Sequence, residues 1–240
     1  MKNVLEGIRV IDLTRVLAGP FCTMMLGDMG AEIIKVEQPG SGDETRQFGP
    51  PFIDGESAYF LSINRNKKSI TLNLKDKKAI EILKKLIAQS DIVVENFRPG
   101  TMKKLGIDYE TLSKINPRLI FLSISGFGNT GPLSQFPGYD VLIQGLCGIM
   151  SITGESDGPP NKVGISIADI VAGIYGYCGL MTALFERSKT GKGDMIDISM
   201  LDCQVSLLTF QAAIYLLTGK IPIRRGNIHP TISPYESFNT

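Results

Sequence analysis

Four short apolar runs, each bounded by turn or helix signals, restrict the fold of this chain more than any other feature. They are "IRVIDL" (Ile8–Leu13), "EIIKVE" (Glu32–Glu37), "DIVVEN" (Asp91–Asn96) and "LIFLSIS" (Leu119–Ser125). Runs this short and this rich in Ile, Val and Leu read as strands buried on both faces. Between the first two lies a loop with Gly19-Pro20, then the helix-like "FCTMMLGDM", with Pro20 suited to a first helical turn. Strand, helix and strand in that order form a βαβ unit, which implies a parallel pair and a right-handed crossover. Residues Asp76–Ser90 give the clearest helix. Ala79, Ile82, Leu83, Leu86 and Ile87 follow the spacing of one helical face while the lysines face away. "TMKKLG" and "YETLSKI" read as shorter helices. The alternation predicts an α/β fold, a Rossmann-like, doubly wound open sheet flanked by helices.

After the Gly/Pro-rich "GFGNTGPLSQFPG" the character changes to helical stretches at Tyr139–Met150, Ser166–Glu186 and Leu201–Leu217. The turn-rich "TGESDGPPN" and the strand-like "MIDISM" interrupt them. The expected organisation is a large α/β domain over residues 1–200, then a helix and linker over residues 201–240 leading toward a smaller domain that this chain does not complete. The last residues, "HPTISPYESFNT", stop at the approach to another strand, as in a fragment.

Composition narrows the function classes. Lys+Arg number 25 and Asp+Glu 24, so the net charge of +1 points to neither nucleic acid nor an anionic membrane surface. Cys22, Cys147, Cys178 and Cys203 are scattered without metal or disulfide spacing, and read as reduced thiols with no metal site. The N-terminus enters a strand pattern without a signal-peptide core, which predicts a cytoplasmic protein. The uncharged run from Ile170 to Phe185 is shorter than the roughly 20 residues of a membrane span. Gly173, Gly176 and Gly179 recur every third residue there, a smooth stripe suited to a buried helix that another backbone approaches closely.

Asp169 stands at the front of that apolar stretch, where a carboxylate is expensive to bury. Two readings stand. It is either a first-turn acid that favours the helix dipole, or a carboxylate nucleophile that takes an activated acyl group, with nearby glycines leaving room for a thioester. The βα turn "LTRVLAGP" has Gly19 but not GxGxxG, which disfavours nicotinamide binding, although Glu37 ends the second strand where a ribose-binding acid would sit. The cations of "NRNKKS" (Asn64–Ser69), with Arg98, Lys103 and Lys104, read as solvated surface charge or as contacts to a phosphate-rich ligand such as coenzyme A. His229, the only histidine, has no nucleophile elbow beside it and reads as a loop residue.

Several segments, in order, carry a resemblance: "LEGIRVIDLTRVLAGPFCTMMLGDMGAEIIKVEQPGSGD", "NRNKKSITLNLK", "VENFRPGTMKKLG", "SGFGNTGP", "GISIADIVAG" and "TGKGDMIDISMLD". From about Leu5 to Thr240 the chain resembles the family III CoA-transferases, which share their fold with α-methylacyl-CoA racemase. The resemblance implies that Asp169 is the nucleophile. It attacks an acyl-CoA thioester, an aspartyl-CoA thioester follows, and CoA passes to a small carboxylic acid. It implies CoA contacts from Val16, Leu17, Ala18, Leu72, Lys75, Asn96, Phe97, Arg98, Lys104, Phe136 and Tyr139. Gln38 and Lys104 stand where relatives carry arginine, and lysine lacks the bidentate fork.

The racemase branch uses a histidine in a "GHD"-like motif. This chain reads Gly138-Tyr139-Asp140, and an ordinary tyrosine, with a pKa of about 10, is a poor base at neutral pH. Transfer is therefore favoured over racemisation, with a non-catalytic CoA-binding module as a third reading. The resemblance also implies an interlocked homodimer of chains of roughly 400 residues; the charge balance and the short apolar run separately predict no nucleic-acid or membrane partner. The resemblance further implies a glycine-rich loop beyond Thr240.

Overall fold

The computed structural model describes residues 3–238. β1 (Arg9–Asp12), α1 (Ala18–Asp28) and β2 (Glu32–Glu37) form the first βαβ unit. A 3-10 turn at Glu44–Gln47 leads into a small hairpin, β3 (Phe52–Ile53) and β4 (Glu56–Ser57), and then α2 (Ala58–Ile63). β5 (Lys67–Thr71), α3 (Lys77–Ile87) and β6 (Ile92–Glu95) follow. Next come α4 (Thr101–Leu105), α5 (Tyr109–Ile115) and β7 (Ile120–Ser125). The remainder is α6 (Asp140–Leu146), a 3-10 turn at Ile149–Ile152, α7 (Ile167–Thr190), β8 (Met195–Ser199), α8 (Met200–Ser206) and α9 (Thr209–Thr218).

Six strands make one parallel sheet in the order β5-β2-β1-β6-β7-β8. Numbered along the chain, that is the doubly wound order 3-2-1-4-5-6. The winding reverses between β1 and β6, and the loops after these two strands part there to leave a crevice at the strand C-termini. Successive strand residues serve opposite faces. Val10, Ile92 and Leu122 pack under α1 and α7, whereas Ile11, Val93 and Phe121 pack under α3 and α5.

α7 is apolar because one face is core. A Cβ added to Gly173 would stand 2.7 Å from the backbone oxygen of Ala18, so only glycine lets α1 and α7 approach this closely. Gly176 faces Leu122 of β7, and Gly179 faces Ile196 of β8. Length and composition would let α7 cross a membrane; Ala168, Val171, Ala172 and Leu180 are buried on its packed face, while Ile174, Tyr175 and Phe185 stay exposed.

Several expectations need correction. Ile82 of α3 is 49% exposed and Ile80 takes its place in the core, because Ala79, Ile80, Leu83 and Ile87 face the sheet. "NRNKKS" is not solvated charge throughout. It enters edge strand β5, whose Lys67 is buried against Asp12 at 3.1 Å, while Arg65 pairs with Asp28 and Lys68 with Glu32. The expected helix Tyr139–Met150 ends at Leu146, and Gly148, with a φ of +91°, leads into a separate 3-10 turn. The run Leu201–Leu217 is two helices bent by 78° at Leu207–Leu208. α8 packs on α7 and α6, and no residue of α9 is buried.

Candidate functional site

A cleft of about 880 Å³ opens at the C-terminal ends of β1 and β2. Leu13, Val36, Phe48, Leu72 and Phe97 supply apolar wall, and Arg15 and Lys75 supply cations. This volume and mixture suit a ligand with an aromatic body and anionic groups.

Thr14, Lys35, Glu37 and Asp43 of its lining belong to a buried charged network that extends to Asp12 and Lys67. Asp12, at the end of β1, is fully buried. Burial pushes its carboxyl up, but Lys67, Lys35 and the hydroxyls of Thr14 and Thr23 overcome this and hold it below the usual carboxylate range. Lys35 pairs with Asp43 at 2.8 Å and donates to the Thr14 carbonyl at 2.8 Å. Burial also raises Glu37, yet the Arg46 guanidinium at 2.8 Å, the Ser69 hydroxyl and the Asp43 N–H bring it down to about 2. Glu37 does line the cleft, in the position a ribose-binding acid would take in a dinucleotide fold, but its oxygens are already engaged by these three partners.

The loop joining β1 to α1 borders the cleft and also reaches the Asp169 region. Thr14 and Arg15 line the cleft. Leu17, two residues on, is buried with Met24 and Ile63, and Val16, Phe21, Tyr59 and Ile170, the residue next to Asp169, pack against that cluster. Val16 holds a φ of +67°, a left-handed conformation that is strained for a β-branched residue. The turn is tight: a Cβ on Gly19 would collide with the Thr14 side chain.

Asp169 lies in the first turn of α7, half-buried, with Ser166 at the cap position. Burial, then the neighbouring Asp140 carboxylate, push its carboxyl up to about 7. Asp140 begins α6 and accepts from Ala168 N–H at 2.9 Å and from Gln144 Nε2 at 2.7 Å, tying α6 to the start of α7. The Tyr59 hydroxyl is pushed up to about 12 by burial and then by the charges of Asp169 and Asp140. Tyr59 stacks edge-on against Phe48 of the cleft wall, with ring centroids 5.5 Å apart. Asp140 and Tyr59 therefore join Asp169, although no spacing in the sequence relates the three. The one available signal was the first-turn acid in Gly138-Tyr139-Asp140.

The expected contact residues divide into groups. Leu72, Lys75 and Phe97 share the cleft wall. Lys104 is exposed on α4 and is not part of the cleft lining, although Thr101 and Leu105 of the same helix are. Val16, Leu17 and Ala18 belong to the loop and helix start beside Asp169. Arg98 is exposed on the loop after β6. Phe136 and Tyr139, 58% and 65% exposed, are on the approach to α6 and off the cleft wall. The Asn96 amide is occupied by the backbone of Arg15, with which it exchanges bonds of 3.0 and 2.8 Å. His229 accepts from the N–H groups of Thr231 and Ile232 in the C-terminal loop, a structural role. Among the described residues no cluster of His, Cys, Asp and Glu could hold a metal ion.

The pattern described as CoA-transferase family III matches residues 5–240. The chain is 50% identical over 236 residues to the mouse (Mus musculus) protein named succinyl-CoA:glutarate CoA-transferase, covering 98% of this chain and 54% of the mouse protein. It is 48% identical over 238 residues to the Acetobacter aceti protein named acetyl-CoA:oxalate CoA-transferase, covering 99% and 61%. A CAIB/BAIF family protein from Brucella suis superposes with a TM-score of 0.95 at 46% identity, over 100% of this chain and 64% of that one. The chain thus spans a little over half the length of the curated relatives it matches. With its sheet order, its sequence pattern and its neighbours in agreement, the chain belongs to CoA-transferase family III.

Proposed function

We propose that the whole protein moves CoA from an acyl-CoA to a short dicarboxylic acid, with Asp169 as the covalent relay. The observation that carries this reading is the β1–α1 loop, which has the cleft on one side and the neighbour of Asp169 on the other. A CoA nucleotide in the cleft would then have its thioester arm led along that loop toward the carboxylate. The names of the mouse and Acetobacter relatives, with glutarate and oxalate as acids, support the dicarboxylate class.

In the proposed sequence an Asp169 oxygen attacks the thioester carbonyl carbon, the C–S bond breaks, and CoA leaves as a thiolate. The thiolate attacks the Asp169 carbonyl of the mixed anhydride and expels the donor acid as its carboxylate. The acceptor carboxylate attacks the resulting aspartyl-CoA thioester, and the thiolate then takes the acceptor acyl group and frees Asp169. Thioester energy is conserved through covalent exchange. Desolvation of Asp169, seen in its raised pKa, leaves the anion poorly stabilised and so more reactive. The same reading includes a homodimer, supported by the exposed Phe210, Tyr215, Leu216 and Leu217 of α9.

The test is incubation with succinyl-CoA and glutarate, or acetyl-CoA and oxalate, following CoA exchange by mass spectrometry. Transfer that disappears in Asp169→Ala is expected. Transfer unchanged in that variant would overturn the relay.

A further inference from the structure

The last residue of β6 and the one after it are tied to both sides of the crevice. Glu95 is 5% exposed, and its Oε2 accepts the Phe97 N–H at 2.8 Å. Asn96 Oδ1 accepts the Arg15 N–H at 3.0 Å, and its Nδ2 donates to the Arg15 carbonyl at 2.8 Å. One amide thus clamps both backbone groups of the residue that precedes Val16, whose φ of +67° needs an external restraint to persist. Arg15 and Phe97 both line the cleft, and the Arg15 guanidinium lies 5.9 Å from the Phe97 ring centroid. We propose that Glu95 and Asn96 are positioning residues, a clamp that holds the strained β1–α1 loop and the Phe97 wall in the shape that receives the ligand. Only the identity of that ligand rests on the CoA reading.

The surroundings of Glu95 give the clamp a second readout. Burial pushes its carboxyl up, the Ser123 hydroxyl and the Phe97 N–H pull it back, Asp197 of β8 adds to the rise, and it stands at about 7. Asp197 is the charged group facing it from β8, and Asn129 bridges Ser123 and Asp197 at 3.1 and 2.8 Å. The Arg15 guanidinium lies 5.9 Å from the ring of Phe97, the residue whose N–H Glu95 accepts. Protonation of Glu95 replaces a charge-assisted bond to Phe97 with a weaker neutral one.

Hydrogen exchange at the Arg15 amide reads the clamp without any ligand. Asn96→Ala is expected to speed that exchange about tenfold relative to the rest of the sheet, and to weaken binding of free coenzyme A by a similar factor. Glu95→Gln, a milder change, keeps an acceptor for Phe97. It is expected to remove the step in Arg15 protection that the parent shows near pH 7, after correction for intrinsic exchange. Parent-like exchange in Asn96→Ala overturns the clamp, as does faster exchange with undiminished coenzyme A affinity. A pH step retained in Glu95→Gln overturns the role of Glu95. If the parent binds no coenzyme A, the proposed function fails, while the exchange data still decide whether the clamp exists.

Discussion

Replacing Asp169 with Asn should stabilise this protein, and only over part of the pH range. The Asp169 carboxyl moves from an ordinary 3.8 to about 7 on folding, chiefly through burial. Between those values the native state holds a proton that the unfolded chain has released, so stability falls as pH rises through the window and the full penalty applies above it. A shift of about 3 units corresponds to a ceiling of about 4 kcal/mol. Asp169 is only half-buried, and solvent screening reduces the expected effect to roughly 2 kcal/mol. Asn has the same shape and no charge to desolvate. Urea unfolding of parent and Asp169→Asn from pH 4 to pH 8 should show similar stabilities at the acid end, with the variant pulling ahead by about 2 kcal/mol toward pH 8. Glu95, also raised to about 7, contributes to both proteins and cancels in the difference. A constant gap across the range would refute the reasoning, because it would mean that Asp169 carries its charge in the fold without cost.

Two further perturbations test the frame around the site. Lys67→Met leaves Asp12 buried beside a single remaining cation, Lys35, and should cost about 3–5 kcal/mol in urea unfolding, with most of it recovered when Asp12→Asn is added. Gly173→Ala brings a methyl to 2.7 Å from the Ala18 carbonyl oxygen. It should cost about 1–3 kcal/mol in thermal unfolding, whereas Gly179→Ala, which meets only the Ile196 side chain at 3.1 Å, should cost less.

The parts of the fold readable in the sequence are those whose signal is local. β1, β2, β6 and β7 are buried on both faces, so their apolar runs mark them within about a residue of their observed ends. β5 escaped because its Lys67-Lys68-Ser69 start has a strand's alternation but charged members, and the inward member is a counterion for Asp12 rather than a hydrophobe. The bend between α8 and α9 escaped because Leu207 and Leu208 continue the apolar pattern through the break. Ile82 misled for a similar reason: period fixes a stripe's existence better than its centre. Asp169 stood out as a lone carboxylate in an apolar run. Asp140, Tyr59 and the Asn96–Arg15 clamp depend on contacts between segments far apart in the chain, which no single-sequence pattern encodes.

The most direct test is to mix the protein with succinyl-CoA, trap with hydroxylamine during turnover, and map the modified residue by peptide mass spectrometry. The account predicts a hydroxamate at Asp169 that depends on the thioester, with the site unmodified in Asp169→Asn. Full CoA exchange with Asp169 unmodified, or the same hydroxamate on another carboxylate, would contradict it.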